Sequence, residues 1–287
     1  MTDPAALRAS LAALAGLPGV AEAADAAREA CTRLRFHEAL RRRIPEAAAE
    51  SRVRGARASA ALDGASMPVD LVRDRVRGAV GWSSSPDPVE QVVRAATRVT
   101  SEAESLASLV FSAPLQVVAR LHVAAMSGLL PDEQVGRPRR DDEPVLELVD
   151  LGEAPPAPVV DLRLAALAEL LTAPRDGIPV VVLAGLAHAE VATVRPFVRG
   201  NGLVARALER VIVQAGGLDP TGVAVPEVGH LGGGAGGSAA YLGALTAYAT
   251  GGGPGVALWL RQCADAVVVG AAEGEAICEA VRAGRLG

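Results

Sequence analysis

The chain has 287 residues, a formal net charge of -5, apolar residues at 50% and aromatics at only 2%. This is enough apolar mass for one large domain or two small ones, and its core must be built from Ala, Leu and Val, which suits close-packed helices and excludes an aromatic-rich β-sandwich. All 28 basic residues are arginine, lysine is absent and Asn201 is the single asparagine; this is the bias of a GC-rich bacterial genome, and with a negative net charge it argues against a nucleic-acid partner.

Cys31, Cys263 and Cys278 are odd in number and lack CxxC spacing, so neither a disulfide framework nor a zinc site is expected. Asp3 interrupts the N-terminus, which does not read as a signal peptide. The longest apolar stretch, 178–194, contains His188 and Glu190, so no membrane span is expected and the cytoplasm is the expected compartment.

Leu7, Leu11 and Leu14 have helical spacing, Gly16, Pro18 and Gly19 break the chain, and a second helix is predicted over about 20–43, its Arg41–Arg43 end solvated. Ser59 to Gly64 reads as a short helix closed by glycine. The Ser/Pro stretch 83–88 is the linker candidate, dividing an N-terminal helical region (1–85, with the segment 57–65) from a core (86–287). Asp87 and Pro88 predict a helix start, with the helix continuing to Ser112. Pro114 starts another that runs to about Leu130. Within 131–160 the alternation Val145 to Val149 predicts a short strand or hairpin, and Asp141–Glu143 a solvated acidic loop. Helices follow at 161–172 and 178–194, then a loop at 195–202 and a helix at 203–215. Gly232 to Gly237 reads as a flexible linker, before helices at 238–250 and 254–282. There is no internal repeat.

The segment from Val194 to Arg206 reads Val-Arg-Pro-Phe-Val-Arg-Gly-Asn-Gly-Leu-Val-Ala-Arg. Gly200 and Gly202 permit positive φ, and successive backbone N–H groups before a helix N-terminus can form an anion cradle. Arg195, Arg199 and Arg206 could add bidentate contacts. An ordinary turn before a helix fits the same residues equally well.

This loop resembles that of the Fic (Fido) family, His-Pro-Phe-x-Asp/Glu-Gly-Asn-Gly-Arg-x-x-Arg. Pro196, Phe197, Gly200, Asn201, Gly202 and Arg206 match in register. The stretches Ala187–Val194, Arg120–His122 and Gly136–Arg139, with Tyr241 and Trp259, extend the likeness over roughly 105–270. Ser59-x-x-x-Asp63-Gly64 resembles the family's inhibitory-helix motif, whose acidic residue pairs with the second arginine of the loop; the corresponding pair is Asp63 and Arg206, with Asp one methylene shorter than Glu. The resemblance implies a mainly α fold, a Fic-like helical bundle with a short β-hairpin flap, and transfer of AMP or a related group from a nucleotide to a protein hydroxyl.

The chemical positions of the motif differ. Arg195 stands where the resemblance places the general base, Arg199 where it places the magnesium ligand, and Leu203 where it places a phosphate contact. Arginine cannot act as a base near neutrality, Arg199 repels a cation, and no intact catalytic residue or metal site is expected. His188 lies seven residues, about 10 Å along a helix, before Arg195, too far to substitute, and His37, His122 and His230 read as structural. The leading expectation is an inactive, nucleotide- or phosphate-binding protein, with ATP or another nucleotide as ligand and no magnesium, that acts through a protein partner. Its anion site would comprise Arg195, Phe197, Arg199, Gly200, Asn201, Gly202 and Arg206. An active transferase with altered residues, and an assembly module with a relic loop, are the alternatives; a homo-oligomer is compatible with each.

Overall fold

The computed structural model describes residues 3–140, 143–147, 149, 151–232 and 237–285. In chain order the helices are α1 (Pro4–Ala15), α2 (Val20–Arg35), α3 (Ile44–Leu62), α4 (Val69–Arg77), α5 (Pro88–Ser105), α6 (Pro114–Met126), α7 (Ala157–Thr172), α8 (Val180–Val194), α9 (Asn201–Ala215), α10 (Pro226–Gly232), α11 (Gly237–Thr250) and α12 (Gly252–Arg282). The expected helical bundle is what the chain forms. Local chemistry sets several starts. The carboxylates of Asp3 and Asp87 accept from Ala5 N and Glu90 N, and proline opens α1, α5 and α6, where its missing N–H costs nothing.

Other boundaries depart from the pattern. The helix expected over 20–43 stops at Arg35, because the His37 side chain accepts from Ala39 N and starts a 3-10 turn at Glu38–Arg41. Arg41, Arg42 and Arg43 are exposed, as expected, and the Arg43 guanidinium also donates to the Val281 carbonyl at the end of α12. The short helix expected at Ser59 is the last turn of the 19-residue α3. α5 ends at Ser105, and the chain turns so that Leu106 and Val110 enter the core. α4 and α10, nine and seven residues long, are not among the expected helices.

No β-hairpin appears among the described residues, where the single bridge joins Ser127 and Leu130. The stretch around Val145 pairs instead with the loop after α8, Leu146 N donating to Val198 O (2.7 Å). Pro144 removes a ladder donor on this stretch. Asp141 and Asp142, and Gly233–Gly236 of the expected linker, lie outside the described residues.

α8 is buried on nearly every face, which is why it shows no polar stripe, and α9 packs along it. α12 is long and apolar enough to cross a membrane, contrary to the sequence reading, yet just over half of its apolar window is buried within the bundle, against α2, α8, α10 and α11. One hydrophobic cluster runs from Leu11 to Val281. Small residues let its backbones touch: a Cβ at Gly229 would sit 2.2 Å from the Ala266 carbonyl oxygen. Gly229→Ala should therefore force α10 off α12 and cost about 1–3 kcal/mol, read as a lower urea midpoint with an unchanged slope.

Candidate functional site

The loop between α8 and α9 begins with strain. Arg195, the C-cap of α8, has φ 48°, and is the single described non-glycine residue at positive φ. Its buried side chain reaches away to donate to the Gly152 carbonyl (2.8 Å). The segment before α7 holds the loop from outside: Arg139 N donates to Pro196 O (2.7 Å) and Arg139 Nε to Arg195 O (3.0 Å).

Asn201 closes the loop from inside. Its Oδ1 accepts from Phe197 N (2.8 Å) and its Nδ2 donates to Phe197 O (2.9 Å). A primary amide supplies a donor and an acceptor on two separate atoms of one short stem. Gly200, at φ 86°, makes the turn into α9.

His122 on α6 supports the opposite side. Its ring stacks on Phe197, centroids 3.8 Å apart and planes 5° off parallel. Its Nδ1 accepts from Gly136 N (2.8 Å), so Nε2 carries the proton and donates to Arg199 O (3.1 Å). One imidazole thus ties the stretch around Arg120–His122 to both the loop and Gly136.

At the N-terminus of α9 lies a residue that sequence reasoning missed. Glu147 Oε1 accepts from both Asn201 N (2.8 Å) and Asn201 Nδ2 (2.6 Å). α9 has no acidic residue in its own first turn, so this carboxylate from the preceding segment meets the positive end of the helix. Burial and the neighbouring charge of Asp63 push its pKa up. Its one signal in the sequence was the alternation around Val145, which does not say which strand-like side chain folds back.

Arg206 is 2% exposed. Nε donates to Ser59 Oγ (2.7 Å), Nη2 to Ser59 O (3.0 Å) and Asp63 Oδ1 (2.8 Å), and Nη1 approaches Tyr241 Oη (3.4 Å). Asp63 reaches the guanidinium because the end of α3 lies directly against α9. Gly64, just past that end, makes no contact within 4 Å of where a Cβ would be.

Not all the predicted residues converge. Asp63, Glu147, Arg195, Asn201, Gly202, Arg206 and Tyr241 line one narrow pocket with about 30 Å³ of free space, room for a water or two. Arg199 and buried Leu203 line a separate gap on the other side of Glu147. Arg199 makes no ion pair among the described residues, and its backbone carbonyl serves His122. A nucleotide pocket needs roughly 300 Å³ or more, and magnesium needs carboxylate oxygens where Arg199 stands. The residues of this closed site therefore do not fit a magnesium nucleotide.

Residues 112–213 match the family described as Fic/DOC. This third of the chain is similar to a Fic domain. The fold of the whole chain is similar to that of a Fic family protein from Desulfovibrio desulfuricans G20, at 19% identity and a TM-score of 0.67 over 94% of this chain and 76% of that one. It is also similar to residues 134–508 of Fic-1 from C. elegans, at 17% identity and a TM-score of 0.63 over 92% and 73% of the two chains. No curated protein matches the sequence. The match of the Fic domain begins just before α6 and ends in α9, so it takes in both the imidazole that props the loop and the amide that closes it.

Burial holds the His122 imidazole down to about 4, against 6.5 for a free one. Between these values the unfolded chain takes up a proton that the folded chain refuses, so stability present above pH 6.5 is lost as pH falls through this window. The loss from this group is on the order of 3 kcal/mol. Urea midpoints at pH 7.5 and pH 4.5 should differ by less in His122→Asn than in the wild type, even though the variant is weaker at neutral pH.

Proposed function

We propose that this Fic-domain protein is a binding protein that does not transfer AMP, and that its anion site is held shut by its own carboxylate until a ligand or partner displaces it. The observation that carries the reading is Glu147, which accepts the free backbone N–H and side-chain amide of Asn201 at the head of α9, where a ligand phosphate or carboxylate would otherwise lie.

Three further features support it. Arg195 cannot deprotonate a hydroxyl, being charged at any pH near neutrality. Losing a general base typically forfeits ~10²–10⁴-fold in rate. Arg206, the cation best placed for a phosphate, is already committed to Ser59 and Asp63. Opening the site means lifting the segment around Glu147, which is tied to the loop by the Leu146–Val198 hydrogen bond. A protein that grips this segment would open the cavity, and closing it would release the partner; this is the regulatory role we assign, with a protein partner and a nucleotide or other phosphate as the ligands.

Two experiments test the reading. In calorimetry with ATP, ADP, GTP and CDP-choline, the wild type should bind weakly and Glu147→Ala at least tenfold more tightly, since the variant removes the internal competitor. Absence of heat from both proteins at millimolar ligand would eliminate nucleotide binding. For catalysis, wild-type protein incubated with labelled ATP should label neither itself nor lysate proteins. Restoring the motif with Arg195→His, Arg199→Asp and Leu203→Arg should still be silent, and self-labelling should appear only when Glu147→Ala and Asp63→Gly are added. Labelling by the wild type would instead establish a transferase with altered residues.

A further inference from the structure

A second polar cluster lies deeper in the bundle, on the far side of Arg206 from the loop. His188 on α8, Glu209 on α9 and His230 on α10 meet at one point. His188 Nδ1 lies 2.6 Å and His230 Nε2 2.8 Å from Glu209 Oε2. The three are 0%, 1% and 0% exposed. Among the described residues no other group of three histidine, cysteine or acidic side chains brings its donor atoms so close, within 4.8 Å of one another.

The charge ledger around this cluster is uneven. Arg206 is matched by Asp63. Arg210 is matched by Glu227 in a bidentate pair, 2.8 Å at each end. Glu209 is left with two imidazoles and no arginine of its own. A buried carboxylate must be balanced, here by a proton held in the cluster or by a cation. Hydrogen bonds alone also leave Glu209 Oε1 buried with no partner, a cost of about 1–3 kcal/mol for a polar atom and more for a charged one.

We propose that His188, Glu209 and His230 bind a divalent transition-metal ion of the zinc class. Two imidazole nitrogens and a carboxylate form the mixed N/O donor set that zinc, cobalt and nickel favour, whereas magnesium and calcium require oxygen donors throughout. A chelating carboxylate would employ Oε1 as well as Oε2, giving four donor atoms and accounting for the orphaned oxygen. Bond lengths near 2.0–2.2 Å require the donors to part slightly from their present 2.6 and 2.8 Å, a small side-chain adjustment. The outer shell is built on the His188 side, while His230 Nδ1 is buried without a hydrogen-bond partner. Tyr241 Oη lies 2.9 Å from His188 Nε2, the nitrogen not facing the ion, and the Trp259 ring lies parallel to His230 and edge-on to His188, walling the site from water. With no route to solvent the ion's role would be structural: it would pin α8, α9 and α10 together behind the loop that Tyr241 and Arg206 connect to the cluster.

The test uses the full chain purified without a histidine tag. Metal analysis should find zinc or a related ion at close to equimolar amounts. After unfolding with chelator, refolding with Co²⁺ should give visible d–d absorption that saturates at one equivalent and is lost when Zn²⁺ competes during refolding. Glu209→Gln should abolish the absorption. Tyr241→Phe should weaken binding ten- to a hundredfold, a readout that distinguishes metal support from packing, and His37→Gln, at the half-buried cap of the 3-10 turn, should leave Co²⁺ binding unchanged. A wild type that refolds after chelator treatment, yet shows no Co²⁺ absorption and no rise in Tm when refolded with Zn²⁺, would establish a proton-only network and overturn the proposal, whatever the variants do.

Discussion

A buried guanidinium organises this molecule. Arg206 sits where three helices meet, and a cation this deep survives only if its donors all find acceptors. Ser59 and Asp63 come from the end of α3, Tyr241 from α11, and Arg206 itself rises from the second turn of α9. Removing one partner from such a site typically costs 3–5 kcal/mol, because the remaining charge is left uncompensated. That requirement fixes the end of α3 against α9 and α11. It also fixes the register of α9, and with it the position of Gly200–Gly202 at the helix head.

The loop inherits its shape from this anchor and from two neutral groups. Asn201 gives the loop an internal donor and acceptor, and His122 gives Phe197 a flat surface and Arg199 a backbone partner. Both devices are uncharged, so they hold the backbone without adding to the field at the helix N-terminus. That field is then met by Glu147, which approaches from a segment that has no regular structure of its own. The result is a helix N-terminus met by a carboxylate from the same chain, tied in through few bonds.

Farther in, charge is distributed in pairs. Arg206 with Asp63 and Arg210 with Glu227 are closed units, while Glu209 answers to His188 and His230. Tyr241 touches both Arg206 and His188, so the buried cluster and the loop site share a wall. An all-helical core of small side chains can hold so many polar groups because its backbones approach closely, leaving short, well-directed hydrogen bonds rather than wet gaps.

By itself the sequence determined whatever depends on near neighbours along the chain. The helix starts at Asp87-Pro88 and Pro114, the helical class, and the Pro196–Arg206 loop with its glycines were legible because caps, periodicity and positive φ are local properties. The pairing of Ser59 and Asp63 with Arg206 could be suggested by likeness, yet the shorter Asp reaches only because α3 packs directly against α9. Tertiary structure alone decided that Glu147 fills the head of α9, that His122 stacks on Phe197, and that His188, Glu209 and His230 converge. Each of these joins residues 21 to 77 positions apart, and no local pattern records which side chains the packing of helices will bring within 3 Å.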